Sequence, residues 1–274
     1  MTEEPDQSVR FEVLGPLVVR TGERALAPAS STRRALLGLL LLADGRALPA
    51  ERLLRAVWGD EPPDSGRAAV HVAVSRLRAW LELHVGDAAA LDHDAGGYRL
   101  RVPAGSVDAA RFRTLVAESG KAASPEERLR WLRDALALWR GQVVGETSVP
   151  FTGDVLVRQL ERLRVDTAGE LADAALAGRE PERALACLEA TADADPLDER
   201  TQAALAVVLA ACGRQAEALG VVERARARLV DELGLDPGPH LQEAHLRILR
   251  QQVGHGGTGA AQQPPRVAAA RTQG

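Results

Sequence analysis

Aromatic side chains make up only 3% of the 274 residues, so burial has to rest on Leu, Val and Ala, which suits packed helices better than a β-sandwich. Lysine is nearly missing: Lys121 is the single one. The positive charge is therefore Arg, whose fork suits bidentate contacts to guanine or phosphate, although codon composition accounts for the bias equally well. Cysteine is scarce too, with Cys187 and Cys212 far apart and no C-x-x-C spacing or clustered His. That excludes a disulfide framework and a zinc site and leaves two buried, reduced thiols. The longest apolar stretch, Ala35 to Ala43, is far short of the roughly 20 residues that span a bilayer. No basic-then-apolar leader is seen, and the expectation is a cytoplasmic protein with no membrane partner. The formal net charge of -4 excludes a chain that coats nucleic acid by bulk electrostatics, so any DNA binding must come from a local basic surface.

What is present points to two domains between polar ends. Residues 1–8 are acidic and polar and are expected to form a disordered tail. From Val9, the alternation of Val9, Phe11 and Val13, the Gly15-Pro16 turn, and then Leu17 and Val19 reads as a strand pair, with a third short strand near Ala25 and Leu26. Three helices follow. The first covers Arg33 to Ala43 behind the cap candidates Ser30, Ser31 and Thr32. The second starts near Pro49, carries Leu53, Leu54 and Val57 and stops at Trp58-Gly59. The third runs from a Ser65 cap to about Leu83. Tyr98, Leu100 and Val102 then alternate behind the Asp94–Gly97 turn as a closing hairpin with Leu91.

Beyond Pro103-Ala104-Gly105 the strand signal stops, which places the boundary between a first domain at 9–103 and a second at 104–253. Helices are predicted at Asp108–Ser119, Pro125–Trp139, Phe151–Ala177, Pro181–Ala194, Asp198–Ala211, Gln215–Leu233 and Pro239–Val253. Ala184-Leu185 and Ala218-Leu219 lie 34 residues apart, as do Leu171 and Leu205, the period of tetratricopeptide helix pairs. Gly178 and Gly213 differ by 35, so the architecture is repeat-like rather than strictly repeated. Residues 254–274, rich in Gly, Gln, Pro and Ala, read as a second disordered tail. The fold class is thus mainly α: a small sheet, three helices and a β-hairpin wing, followed by an all-α, tetratricopeptide-like domain.

The third helix carries the functional signal. Val70, Val74, Leu77 and Leu81, spaced by four, three and four, define an inward face. A rotation of about 100° per residue then puts Ala69, Val72, Ala73 and Arg76 on the outward one. Small residues let such a helix approach a surface closely, an Arg pairs bidentately with guanine, and a Val touches a thymine methyl. Arg67 and Arg78 flank the strip, and no acidic residue occurs from Ser65 to Leu81, so phosphates have room alongside. An amphipathic helix merely solvated by its arginines would look similar on its own. The hairpin that follows favours DNA, because a helix ahead of a wing is how the winged helix docks.

The order of elements, with Val74-Ser75-Arg76-Leu77-Arg78 and Gly97-Tyr98-Arg99-Leu100, resembles the winged-helix output domain of response regulators. Further motifs widen the likeness: Phe11-Glu12-Val13-Leu14-Gly15-Pro16-Leu17, Leu53-Leu54-Arg55-Ala56-Val57-Trp58-Gly59, Val107-Asp108-Ala109-Ala110-Arg111-Phe112, Ala135-Leu136-Ala137-Leu138-Trp139-Arg140-Gly141 and Glu232-Leu233-Gly234-Leu235-Asp236-Pro237-Gly238-Pro239. In that order they resemble the Streptomyces antibiotic regulatory protein family, over roughly Val9 to Gln252, whose second half is a bacterial transcriptional activation domain. The resemblance implies a transcriptional activator on direct repeats of double-stranded DNA near one helical turn apart, bound as a head-to-tail dimer, recruiting RNA polymerase with its sigma factor, and serving a secondary-metabolite gene cluster. It implies base-facing positions at Ala69, Val72 and Arg76, and phosphate-side positions at Trp58, Ala73, Ser75 and Arg78. The wing turn Asp92-His93-Asp94-Ala95-Gly96-Gly97 departs from the family's basic wing. Either it stands off the DNA with only Arg99 nearby, which is the favoured reading, or His93 makes the contact. The acidic, proline-rich loop Gly59–Gly66 corresponds by resemblance to a polymerase-facing loop, with Asp60, Glu61 and Asp64 available to basic partner surfaces.

No catalytic constellation is legible, and no cofactor or metal is expected. His240 and His245 are five apart and do not share a helix face. Gly254-His255-Gly256-Gly257-Thr258-Gly259 matches G-x-G-x-x-G but follows a helix and opens none, whereas dinucleotide binding needs a strand before and a helix after. The alternative to an activator is a helical-repeat scaffold whose winged helix binds protein, and absence of salt-dependent promoter binding would favour it.

Overall fold

A computed structural model describes residues 9–59, 63–145, 147 and 154–252. The tails read at 1–8 and 254–274 lie outside the described residues. Strands β1 (Val9–Glu12), β2 (Val18–Thr21) and β3 (Arg24–Leu26) form an antiparallel sheet in that order. Phe11 faces Val19 across it, both fully buried, so the alternation of the sequence becomes one wet and one dry face. Helices α1 (Ser31–Leu42), α2 (Ala50–Trp58) and α3 (Arg67–His84) follow, then strands β4 (Ala90–Asp94) and β5 (Gly97–Arg101), paired as a hairpin with Leu91 opposite Leu100.

Two local details differ from the sequence reading. Gly66, at φ 49°, precedes the first turn of α3, and Ser65 makes no side-chain cap. Glycine takes that left-handed geometry without a Cβ penalty, which serine would incur. At the wing, Gly97 has φ 116°, and a Cβ there would fall 2.1 Å from the Leu48 carbonyl oxygen. The close approach lets Leu48 and Tyr98 exchange backbone hydrogen bonds at 2.8 and 2.9 Å, which seats the hairpin against the segment before α2.

The second half is built mainly of helices: α4 (Asp108–Ser119), α5 (Pro125–Leu136), α6 (Val155–Ala177), α7 (Leu185–Ala194, behind a 3-10 turn at Pro181–Ala184), α8 (Glu199–Ala211), α9 (Gln215–Arg228) and α10 (Pro239–Leu249). A π turn at Leu229–Leu233 prolongs α9. The helix read from Phe151 begins at Val155, and 151–153 lie outside the described residues. Ser124, Asp154 and Asp198 each accept a backbone N–H of the first turn of α5, α6 and α8, which satisfies donors that a helix start otherwise leaves open. Helix α8 packs on α9 and α10, giving the helix-on-helix stacking that the repeat spacing implied.

The hydrophobic core is continuous across the junction at 103–107. Phe11 N–H donates to the Ser106 carbonyl at 2.8 Å, and a parallel bridge joins Phe11 to Val107. Arg140, Val144 and Gly145 donate their backbone N–H groups to the carbonyls of Leu14, Val13 and Gly15 at 2.6, 2.8 and 3.0 Å. The segment after α5 therefore runs as an extra edge beside the β1–β2 connection, and Val144 seats over Gly38 of α1. Phe112 and Trp139 meet edge to face at 5.4 Å just behind it.

Candidate nucleic-acid interface

Helix α3 rests on α1 and α2 through Val70, Val74, Leu77 and Leu81, none more than 1% exposed. Its other side is open: Val72 is 51% exposed, and His71, Ser75 and Arg76 are exposed. Ala69 is half-buried. Ala73, placed on the outward face by simple rotation, is 8% exposed instead. It lies three residues from Val70 and four from Leu77, so it shares their face, and the dry stripe is wider than four residues. Ala73 lines a groove of about 470 Å³ together with Val72, Arg76, Trp58 and Arg33. This concavity brings together Trp58, Ala69, Val72, Ala73 and Arg76, which the sequence reading grouped, and adds Arg33, which it did not. Arg33 was hidden by its position at the predicted start of α1, where only the packing of α1 on α3 reveals which way it faces.

The flanking arginines are less free than the sequence implied. Arg78 is half-buried, and its Nε and Nη2 both donate to the Leu91 carbonyl of β4, at 3.1 and 3.0 Å. It braces the wing. Arg67 is exposed and ion-paired with Glu51 of α2. Arg99 pairs with Asp94 at 3.2 Å and Arg101 with Asp92 at 2.7 Å, so each carboxylate of the wing turn is matched across the hairpin. These pairs are exposed and weak, and phosphate competes readily for such guanidinium groups.

Between α3 and the wing lies a contact that sequence reasoning missed. Tyr98 Oη and His71 Nδ1 share a hydrogen bond at 2.5 Å, and the His93 ring stands 4.5 Å from the Tyr98 ring. Burial pushes the Tyr98 hydroxyl above its ordinary range, with Arg78 pulling the other way. His93 thus packs beside the joint of helix and wing while remaining exposed. Asp64 of the loop before α3 is exposed, while Asp60 and Glu61 lie outside the described residues. Among the described residues no group of three metal-binding side chains occurs, and no helix is long and apolar enough to cross a membrane.

Comparison with known proteins matches both halves. A family model described as "Transcriptional regulatory protein, C terminal" covers residues 25–100, and one described as "Bacterial transcriptional activator domain" covers 107–249. The chain is 39% identical over 252 residues to the regulatory protein AfsR of Streptomyces coelicolor, using 90% of this chain and 25% of that one. It is 30% identical to the transcriptional regulator RedD of the same organism, over 89% of this chain and 71% of RedD. The solved structure of Mycobacterium tuberculosis EmbR in complex with a low affinity phosphopeptide aligns with a TM-score of 0.66 at 30% identity, over 90% of this chain and 66% of EmbR. The chain thus spans about a quarter of the AfsR relatives it matches and most of RedD.

Proposed function

Because the chain belongs to the Streptomyces antibiotic regulatory protein family of transcriptional regulators, a winged helix joined to a bacterial transcriptional activator domain and not an enzyme family over the matched region, we propose that it is a sequence-specific DNA-binding activator. The observation that carries this reading is the ridge of α3, where Val72 and Arg76 stand exposed beside a groove with no carboxylate between Ser65 and Leu81. A helix of this shape enters a major groove, where the Arg76 fork meets guanine O6 and N7 and the Val72 methyls meet a thymine methyl. Ala69 gives contact without a polar atom. Trp58, Arg67, Ser75 and Arg33 lie where the phosphates pass, and Arg99 exchanges Asp94 for phosphate if the wing reaches the backbone.

The activation step is assigned to the loop before α3, with Asp60, Glu61 and Asp64 meeting basic surfaces of RNA polymerase and its sigma factor. Two copies bind head to tail, on direct repeats one helical turn apart so that both lie on one DNA face. The setting is cytoplasmic, and the regulated genes are those of a secondary-metabolite cluster. Footprinting of the regions upstream of the neighbouring genes tests the binding, the repeat spacing and the target genes. Protection of paired repeats with a period near 10–11 base pairs is the expected outcome, and salt-independent or absent protection refutes it.

A further inference from the structure

A cavity of about 340 Å³ opens on the far side of the segment that fastens the two halves together. Its walls are Val143, Val144 and Gly145 of that segment, Val157, Glu161 and Arg164 of α6, and the end of α7. Arg164 is the unusual member. It is only 8% exposed, its Nη2 donates to the Ala190 carbonyl at 3.1 Å, and its guanidinium lies 4.6 Å from the centre of the Trp139 ring.

Its Nε has no hydrogen-bond partner, and the buried indole Nε1 of Trp139 has none either. Among the described residues no carboxylate forms an ion pair with it. A buried cation held by one carbonyl and a ring face is costly, since buried charges are ordinarily paired and fully hydrogen-bonded. Glu161 and Asp195 favour its charge from nearby without pairing with it, so its open Nε leaves room for an anion.

Two carboxylates mark the rest of the lining, Glu161 half-buried and Asp195 exposed, with neither in an ion pair. Burial pushes Glu161 above its ordinary range, Asp195 adds to the effect and Arg164 opposes it. A polyanion is repelled by this pair, whereas a positive group is drawn to it. The cavity has a cationic floor, an acidic side and valine walls, and its size is that of a small metabolite.

We propose that this cavity binds a small amphoteric molecule of amino-acid type, its carboxylate received by Arg164 and the Trp139 N–H and its ammonium by Glu161 and Asp195, with its apolar part against Val143, Val157 and Val165. The occupant rests on the stretch whose N–H groups reach Leu14, Val13 and Gly15, so it tightens the joint between the halves. Binding in this cavity needs no DNA and is tested without it.

The test is calorimetric titration of the full chain with each common protein amino acid, and, for any that binds, with its amine-only and carboxylate-only analogues. At least one amino acid is expected to bind with a sub-millimolar Kd, and both analogues at least about tenfold more weakly, a difference of about 1.4 kcal/mol. Glu161→Gln, on a half-exposed side chain, is expected to weaken binding about tenfold while circular dichroism stays that of the parent. Arg164→Met is expected to abolish it. If Arg164→Met does not fold, Glu161→Gln decides alone. Failure of every amino acid to bind overturns the proposal, as does a carboxylate-only analogue that binds as well as its parent, or binding that Glu161→Gln leaves unchanged.

Discussion

The carboxylate of Asp108 accepts the backbone N–H of Val13, 95 residues earlier, through both its oxygens at 2.8 and 2.9 Å, and that of Leu14 at 3.0 Å. The first residue of α4 thus holds the strand end of the winged-helix half. Asp108→Ala leaves two buried donors unsatisfied, so we expect a loss of about 1–3 kcal/mol in urea unfolding.

The pH dependence of this loss has a definite sign. Burial, the largest influence, raises the Asp108 carboxyl above its ordinary range despite the opposing N–H groups of Val13 and Leu14 and the charge of Arg140. The folded chain then holds this proton more tightly than the unfolded one, so stability from the group is complete below the ordinary aspartate range and is lost as pH rises through the raised value. The advantage of the parent over Asp108→Ala should narrow upward from that range, measured by urea melts at stepped pH. An advantage that grows with pH would show that the N–H groups outweigh burial.

The other half of the joint is steric. A Cβ on Gly38 would lie 2.6 Å from both Cγ atoms of Val144, a branched side chain on a backbone at φ 51° that has little room to yield. Gly38→Ala is expected to cost about 1–3 kcal/mol by overpacking. Adding Val144→Ala should return part of it, and a double-mutant cycle on thermal unfolding should give a coupling of at least about 0.5 kcal/mol. Simple additivity would show that the two do not meet.

These joints also mark what the sequence could and could not tell. The buried stripe of α3 was legible because periodicity is local, and so were the helices of the second half and the Gly97 turn, where residue type answers to backbone geometry. The pairing of Phe11 with Val107, and of Pro16 with Gly145, joins segments about a hundred residues apart through backbone groups that every residue carries, so no side-chain pattern announces it. Arg164 sits in the polar-looking run Arg162-Leu163-Arg164 and Arg78 on an exposed-looking strip. Whether an arginine is solvated or buried depends on what folds over it. Ala73 was misplaced for a related reason: a small residue at the edge of a stripe belongs to whichever face its neighbours close.

Arg78 offers a case where two roles give different readouts. As a brace on the Leu91 carbonyl its removal leaves an acceptor open and loosens the wing, so Arg78→Ala should lower stability by about 0.5–1.5 kcal/mol and weaken DNA binding alike for all sequences. The slope of log K against log salt should be unchanged. A slope flatter by about one unit, with unaltered melting, would assign the guanidinium to a phosphate instead.

Arg76 makes the opposite demand. It is exposed on the ridge, and Arg76→Ala should leave thermal unfolding within about 0.5 kcal/mol of the parent. Its fork matches the guanine edge, and its loss should cost about 1–3 kcal/mol at one base position while the other positions keep their preference. Competition gel shifts against operators changed one base pair at a time measure this directly. An affinity drop spread evenly over all operators would make Arg76 a phosphate contact, and the sequence preference would then have to arise from Val72, Ala69 or the shape of the DNA.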